Sequence, residues 1–158
     1  MEATPAVDPA RYREVIGSFA TGVCIVTAHG DDGPAGLTTN AVSSLSLDPL
    51  LLLVCFDNGA RTLPVVAEGE RFGVNVLAKG QAELARLFAS KTPEHEKFAE
   101  VPHSVHDGIP VIEGVLAWVG CTLQELIPGG DHTIGIGAVT AAEKGRGEPL
   151  IWYRGSYG

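Results

Sequence analysis

The sequence predicts a mainly β protein, an antiparallel barrel that is closed or partly closed and carries a few peripheral helices. About seven apolar segments of strand length follow one another along the chain, most of them separated by short turns. Twenty glycines and ten prolines among 158 residues indicate many tight turns. Because helices do not alternate regularly with these strands, a doubly wound parallel sheet is excluded.

Length and composition describe one folded domain. Hydrophobic residues make up 45% of the chain, which excludes a disordered protein. The length allows a hydrophobic core that needs no disulfide bonds or structural metal. We expect residues 1–9 to be a tail and residues 10–158 to be the domain. No apolar run approaches a transmembrane helix, and the N-terminus lacks the apolar stretch of a signal peptide, so a cytoplasmic protein is expected.

Charge and cysteine content exclude further classes of function. The net charge of −8 argues against nucleic acid and anionic membranes as partners, although local cations could still bind one phosphate. Cys24, Cys55 and Cys121 lie in apolar segments without a CxxC pair, which predicts buried free thiols rather than a catalytic thiolate.

The first element is predicted to be an amphipathic helix. Asp8 is typical of an N-cap and Pro9 of the first helical position. The helix should end near Thr21-Gly22, before a strand over 23–29 and a turn at 31–34. Its apolar stripe at helical spacing consists of Tyr12, Val15, Ile16 and Phe19.

Residues 36–49 are predicted to form one extended strand with a polar face. Small polar side chains leave the backbone accessible, so a flat polar ligand could lie against this edge. A solvent-facing strand explains the same residues without a ligand, and both interpretations stay open at this point. The polar face consists of Thr38, Asn40, Ser44 and Ser46.

The following segments complete the barrel. Residues 50–56 are apolar throughout, which predicts a strand buried on both faces that crosses the core or joins a subunit interface. Residues 90–110 show no period and are expected to be a long irregular segment. The other predicted elements are helices at 62–68 and 81–89, a strand at 71–78, a hairpin of strands at 115–127 and 132–143, and a short strand in the aromatic tail 149–158.

Two short patterns are interpreted as structural. Residues 135–137 form a GxG that lacks the third glycine and the following helix of a dinucleotide-binding loop. His95, His103 and His106 do not have the spacing of a metal site, and we expect solvated histidines there. No metal site is predicted.

Two other pairs keep a structural and a functional interpretation. His132 follows Asp131 where a turn meets a strand, so it either packs at the rim of the barrel or donates a hydrogen bond to a carbonyl or carboxamide at a pocket mouth. Arg61-Thr62 opens a short helix, which is either a capped surface helix or a phosphate site. Lys97-Phe98 would add a second cation and an aromatic ring to that phosphate site.

In their order along the chain, these segments resemble the short-chain flavin reductases, which serve as reductase components of two-component flavin monooxygenases. The resemblance covers residues 10–158. The family has Met where Leu37 stands and often a second Pro where Leu50 stands, and both exchanges are apolar. The matching pieces are FATGVCIVTA (19–28), GLTTNAVSSLSLDP (36–49) with the apolar strand behind it, RT (61–62), FGVNVLA (72–78), Gln81 with the run 84–89, KF (97–98), GDHTIGIGAV (130–139) and PLIWYRGSYG (149–158).

The resemblance implies an antiparallel Greek-key split β-barrel that forms a homodimer and holds FMN or FAD at the dimer edge. NADH would reduce this flavin, with NADPH as the alternative, and a separate monooxygenase would receive it. The implied contacts are Thr38, Thr39, Asn40, Ala41 and Ser44 with the isoalloxazine and ribityl chain, Cys55, Phe56, Asp57 and Asn58 beside them, Arg61 and Thr62 at the phosphate, Phe88, Lys97 and Phe98 at the side, Tyr153 and Tyr157 as a cover, and His132 facing the nicotinamide.

Other functions on a similar barrel remain open. A flavin-holding electron-transfer protein would bind the same cofactor without nicotinamide turnover, and an oxidase of the pyridoxamine-phosphate type is a third candidate. The sequence shows no obvious acid/base pair or nucleophile, which favours chemistry carried by cofactors.

Overall fold

The computed structural model describes residues 6–158, so the predicted tail is described only from residue 6 and residues 1–5 lie outside it. The helices are α1 (Pro9–Ile16), α2 (Thr62–Gly69), α3 (Ala82–Ala89) and α4 (Glu94–Ala99). The strands are β1 (Thr21–Gly22), β2 (Cys24–Gly30), β3 (Gly33–Thr39), β4 (Val42–Leu47), β5 (Leu50–Asp57), β6 (Arg71–Val76), β7 (His103–His106), β8 (Ile109–Ile112), β9 (Ala117–Gly129), β10 (His132–Lys144), β11 (Ile151–Tyr153) and β12 (Ser156–Tyr157).

One seven-stranded sheet in the order β3-β2-β6-β9-β10-β5-β4 organises the fold, and its neighbouring strands are antiparallel. The predicted mainly β, antiparallel class is therefore confirmed. Its two edge strands, β3 and β4, are consecutive in the chain and are joined by Asn40 and Ala41. Because three residue steps span about 10 Å at most, the sheet must curve until its edges approach each other at this junction.

The curved sheet buries a core on each of its faces, because successive side chains of a strand point to opposite sides. Val26 of β2 belongs to a cluster with Phe56 and Phe72, which come from other parts of the sheet and therefore meet on its concave side. The next side chain back, Ile25, packs on the opposite face with Phe88 of α3. Helices α3 and α4 thus support β3 and β2 from outside the curve.

The expected single strand at 36–49 is wrong, because the chain leaves one edge of the sheet at Thr39 and enters the other edge at Val42. A register shift between Ser44 and Ser46 interrupts the alternation a second time. The polar residues of this segment therefore do not share one face.

The expected irregular segment at 90–110 is also wrong, since it contains α4 and the β7–β8 hairpin. The hairpin turns through Asp107 and Gly108, whose φ angles of 50° and 77° are those of a tight Asp-Gly turn. Its inner strand β8 is held by Asn75, which accepts from Ile112 N over 2.9 Å and donates to Ile25 O over 3.0 Å. This Asp-Gly pair is the local signal in the sequence for the turn.

Strand β5 is buried on one face only. Val54 and Phe56 have no exposed surface, whereas Leu51 and Leu53 on the other face are half-buried. The prediction of a strand buried on both faces therefore does not hold within one chain, and the alternative of a subunit interface stays a prediction.

Helix α1 begins as predicted, with Asp8 Oδ1 accepting from Ala10 N over 2.8 Å. It ends at Ile16, five residues before the expected end near Thr21, and none of its residues is buried. The predicted apolar stripe faces outward, since Phe19 beyond the helix is 71% exposed and Tyr12 is 61% exposed. No helix among residues 6–158 is both long enough and apolar enough to cross a bilayer.

The GxG segment serves the core, as expected for a structural pattern. A Cβ at Gly135 would lie 2.7 Å from Phe56 Cε2, and one at Gly137 would lie 2.6 Å from Phe72 Cζ and 2.7 Å from Cys121 Cβ. These glycines leave room for the two phenylalanine rings on the concave side of the sheet.

Replacing Gly137 by alanine should lower the free energy of unfolding by about 1–3 kcal/mol, because the new methyl group overpacks the core. Urea denaturation followed by circular dichroism measures this change. The matched control is Gly22→Ala, where a Cβ meets nothing within 4 Å. Equal stability of the two variants would contradict the packing argument.

Candidate functional site

The predicted site residues converge at the C-terminal end of β5. Cys55 N donates to Ala41 O over 2.9 Å, so the junction between the two sheet edges lies beside this end of the strand. On the other side of β5, Ile134 pairs with Cys55 and His132 pairs with Asp57. The structure therefore brings the Asn40–Ala41 junction, the end of β5 and the start of β10 side by side.

The loop after β5 is tied to the turn between β9 and β10. Asn58 N donates to Asp131 O over 3.0 Å, and Thr133 Oγ1 donates to Asn58 Oδ1 over 2.6 Å. Asp57 Oδ1 accepts from Gly59 N over 2.7 Å and closes the loop on itself. Sequence reasoning missed Thr133, although its place next to His132 was a signal that it could serve the same site.

His132 is oriented by its neighbour in sequence. Its Nδ1 lies 2.8 Å from Asp131 Oδ1, and its side chain is 40% exposed. With Asp131 ionised, Nδ1–H donates to the carboxylate, so the free Nε2 accepts when the ring is neutral and donates when it is protonated. The donor role expected from the sequence therefore requires the protonated ring.

Arg61 lies immediately before α2 and is half-exposed. Its Nη2 donates to Thr92 O over 2.7 Å and lies 3.3 Å from Glu94 Oε2. Thr62, the next predicted phosphate residue, is 1% exposed. Of this pair, the arginine has the side chain that can meet an anion from solvent.

Four other predicted contact residues lie behind the surface. Phe56, Phe88, Phe98 and Lys97 are each no more than 5% exposed. Phe88 and Phe98 pack edge to face at 5.0 Å, and a Cβ at Gly36 would lie 2.8 Å from the Phe88 ring. Phe88, Phe98 and Lys97 support strand β3 from the helix side, whereas Phe56 lies in the core on the concave side, so none of the four presents a surface to a ligand.

The polar residues of segment 36–49, which was predicted to be one strand, make separate contacts in the structure. Thr38 Oγ1 donates to Ala85 O of α3 over 2.6 Å, and Thr39 Oγ1 accepts from Ala41 N over 3.0 Å. Ser44 is exposed on β4 opposite Leu52. Thr39, Ala41 and Ser44 therefore remain as small side chains at the accessible edge.

The C-terminal tail reaches this edge through Asn40. Asn40 Nδ2 donates to Thr21 Oγ1 over 3.2 Å, and Thr21 pairs with Trp152 of the tail. Tyr157 packs on Trp152 at 4.8 Å, while Tyr153 is 40% exposed. The two predicted covering tyrosines are thus linked to Asn40 through Trp152 and Thr21.

A cleft among the described residues does not coincide with the predicted set. It measures about 1000 Å³, runs between α1 and the tail, and contains Asn40 but neither His132 nor Arg61. The candidate site is the hydrogen-bonded convergence at the end of β5, because specific contacts bring the predicted residues together there.

The cysteines and the possible metal-binding side chains bear on the prediction of buried thiols and of no metal site. Burial raises the pKa of Cys24 to about 11 and that of Cys121 to about 12, which leaves both as unreactive core thiols, and Cys55 is half-buried. Within residues 6–158 no group of three or more His, Cys, Asp or Glu side chains could hold a metal ion. The arrangement is suited to binding and orienting a flat polar ligand that carries its own chemistry.

A family model described as "Flavin reductase like domain" matches residues 16–158. The chain belongs to this flavin reductase-like family. A Rhizobium meliloti protein described as "Probable flavin reductase" is 41% identical over 152 residues, which are 95% of this chain and 48% of that protein, so the chain spans about half of this relative.

Two further relatives match over most of their length. The reductase subunit HsaB of a flavin-dependent monooxygenase from Mycobacterium tuberculosis is 37% identical over 155 residues, covering 96% of this chain and 82% of HsaB. The structure of the NADH:FAD oxidoreductase SgcE6 of Streptomyces globisporus, in complex with NAD and FAD fragments, is 34% identical with a TM-score of 0.89 and covers 98% of this chain and 95% of that one.

The Asp131–His132 contact predicts a titration. The pKa of the Asp131 carboxyl is lowered from its ordinary value of 3.8 by the hydrogen bond and the positive charge of His132. A lowered folded pKa stabilises the folded protein above the unfolded pKa, and this contribution disappears as the pH falls through the folded pKa. Carbon-detected NMR should find the Asp131 midpoint below 3.8, and His132→Ala should return it towards 3.8.

The control for this titration is His29→Ala, which removes an exposed imidazole at the far end of β2. The Asp131 midpoint should not move in that variant. An unchanged midpoint in His132→Ala would show that the two side chains do not interact in solution.

Proposed function

We propose that this chain is an NAD(P)H-dependent flavin reductase that reduces FMN or FAD and supplies the reduced flavin to a separate monooxygenase. The observation that carries the proposal is the convergence at the end of β5 of an accessible edge with small side chains, an oriented imidazole and a half-exposed arginine. Membership of the flavin reductase-like family supports it. Relatives that are named as reductase components of monooxygenases support the partner.

The residues at the surface fit a flavin. Thr39, Asn40, Ala41 and Ser44 form an edge on which an isoalloxazine ring and its ribityl chain could lie, with Cys55–Asn58 beside it. Arg61 and the start of α2 would meet the phosphate, since a guanidinium and first-turn amides both bind anions. Thr38, Phe56, Phe88, Lys97 and Phe98 would support this surface from behind rather than contact the flavin.

A bound flavin would supply the redox chemistry as the acceptor of a hydride from reduced nicotinamide. The chain's own contribution is to bind and orient both rings, which converts their encounter into a reaction within one complex. His132 would face the nicotinamide with Nε2, while Asp131 holds the proton at Nδ1. Tyr153 and Tyr157 would border the site through Asn40 and Thr21.

The open surface suits a flavin that leaves after reduction. NADH is favoured over NADPH, because the sequence shows no arginine pair for a 2′-phosphate. The similar protein SgcE6, an NADH:FAD oxidoreductase, agrees with this preference. A flavin-holding carrier is the second candidate function. It would be favoured by a cofactor that stays bound after reduction.

Steady-state assays test the reductase against the carrier. NADH and increasing FMN or FAD are mixed with the purified chain, and absorbance at 340 nm is followed. A rate of NADH oxidation that rises with added flavin and saturates supports the reductase. A yellow protein that retains its flavin and leaves NADH unchanged would favour the carrier. Calorimetry showing that neither flavin binds would contradict both candidate functions.

His132→Ala should raise the apparent KM for NADH while the flavin Kd stays within a few-fold, because the imidazole is proposed to orient the nicotinamide rather than to hold the flavin. Initial rates and flavin fluorescence quenching measure the two constants separately. His29→Ala is the matched control, since His29 is exposed and lies away from the β5 end. Collapse of flavin affinity in His132→Ala would assign this residue to the flavin instead.

A Greek-key split barrel and a homodimer belong to the same proposal. The consecutive edge strands β3 and β4 support the split barrel. At the β4–β5 turn Leu47 and Leu50 are 83% and 52% exposed, next to the half-buried Leu51 and Leu53. A second copy on this surface would remove apolar area from water.

Light scattering after size-exclusion chromatography tests the homodimer. The wild-type protein should have a measured mass of twice the 16.5 kDa of one chain. The Leu47→Lys/Leu50→Lys double variant should shift towards the monomer mass, because two charges in each copy would be buried at the interface. Val105→Lys is the control, since Val105 is 59% exposed on the separate β7–β8 hairpin. A monomeric wild-type chain would contradict the proposed assembly.

A further inference from the structure

Glu94 lies at the centre of a cluster of charges behind the proposed phosphate site. Its Oε2 is 2.9 Å from Lys97 Nζ and 3.3 Å from Arg61 Nη2. Its Oε1 accepts from Gly36 N of β3 over 2.9 Å. One carboxylate therefore contacts two cations and the backbone of a strand that leads into the accessible edge.

The two oxygens of Glu94 have different tasks. Oε1 makes a well-formed hydrogen bond that attaches α4 to β3. Oε2 is buried and receives no well-aligned hydrogen bond from the described residues, so its interaction with the two cations is mainly one of charge. Oε2 thus makes no hydrogen bond to the backbone of residues 6–158, so its effect on the neighbouring cations is electrostatic.

The three charges differ in their access to solvent. The side chain of Lys97 is 4% exposed and that of Glu94 is 17% exposed, whereas that of Arg61 is 49% exposed. Lys97 Nζ is held in place by Phe88 O at 3.2 Å. Buried charges are poorly screened, so Glu94 and Lys97 act on whatever Arg61 binds, although only Arg61 can touch it.

We propose that Arg61, Glu94 and Lys97 form a phosphate-selectivity cluster, in which Glu94 weakens and Lys97 strengthens the binding of the flavin phosphate at Arg61 without contacting it. This inference rests on the proposed function. Two cations and one anion leave one net positive charge in a chain whose total is −8. A single retained charge holds a phosphate loosely, which suits a flavin that must leave.

The test compares FMN with riboflavin, which has the same ring and ribityl chain but no phosphate. The measured quantity is the ratio of the riboflavin Kd to the FMN Kd, obtained by fluorescence quenching on the full chain. Arg61→Ala should lower this ratio about tenfold, because it removes a charge-assisted hydrogen bond. Riboflavin affinity should stay within a factor of about two, since it has no phosphate for the arginine to contact.

The substitutions behind Arg61 should act in opposite directions. Glu94→Gln keeps an oxygen for Gly36 N and removes the negative charge, so the ratio should rise about two- to fivefold. Lys97→Met removes the buried positive charge, so the ratio should fall by about the same factor. Both changes should shrink as potassium chloride is added.

Controls separate these charge effects from general damage. Glu148→Gln breaks the exposed pair with Lys79, and Arg71→Ala breaks the exposed pair with Asp107, so neither should change the ratio. Thermal unfolding identifies variants that fail to fold. The Glu94→Gln/Lys97→Met double variant removes both buried charges and keeps the net sum, so it should be folded and have a ratio near that of the wild type.

The results decide between a charge effect and a structural one. Equal losses of FMN and riboflavin affinity in Glu94→Gln and Lys97→Met would overturn the inference, as would a double variant whose ratio departs from the wild type as far as either single variant. A ratio unchanged in both single variants would overturn it too. If the wild-type chain binds neither flavin, the proposed function itself fails, which is a different result.

Discussion

The structure depends on the meeting of the two edges of one sheet at Asn40 and Ala41. Strand β3 ends the sheet on one side and β4 ends it on the other, yet two residues join them. That covalent link forces the sheet to curve, encloses Phe56 and Phe72, and leaves a stretch of backbone that belongs to neither ladder. An accessible edge and a buried core thus follow from the same constraint.

The proposed site uses what this constraint places nearby. The carbonyl of Ala41 accepts from Cys55, and β10 runs on the other side of β5, so Asp57, Asn58 and His132 meet at one end. Under the proposed function, a protein that brings two cofactors together needs orientation more than reactive groups, which agrees with the small and polar side chains at this edge.

The second layer of the fold gives the site its electrostatics. Helices α3 and α4 pack on the convex side of β3, and their residues Phe88, Glu94 and Lys97 support the strand and the arginine from behind. A cation near the surface of an acidic protein can bind an anion only if its neighbours do not cancel its charge. Glu94 pairs with both Lys97 and Arg61, so the three side chains together keep one net positive charge.

The sequence by itself determined the elements whose signals are local. Asp8-Pro9 starts α1, the second helix and the β9–β10 hairpin stand where expected, and the ordered motifs identify the family. Only the tertiary structure decided that residues 36–49 divide between two edges, that the stripe of α1 faces outward and that Lys97 is buried against Glu94. Capping and turn signals act over a few residues, whereas strand pairing and burial depend on segments far apart in the chain, which no local pattern encodes.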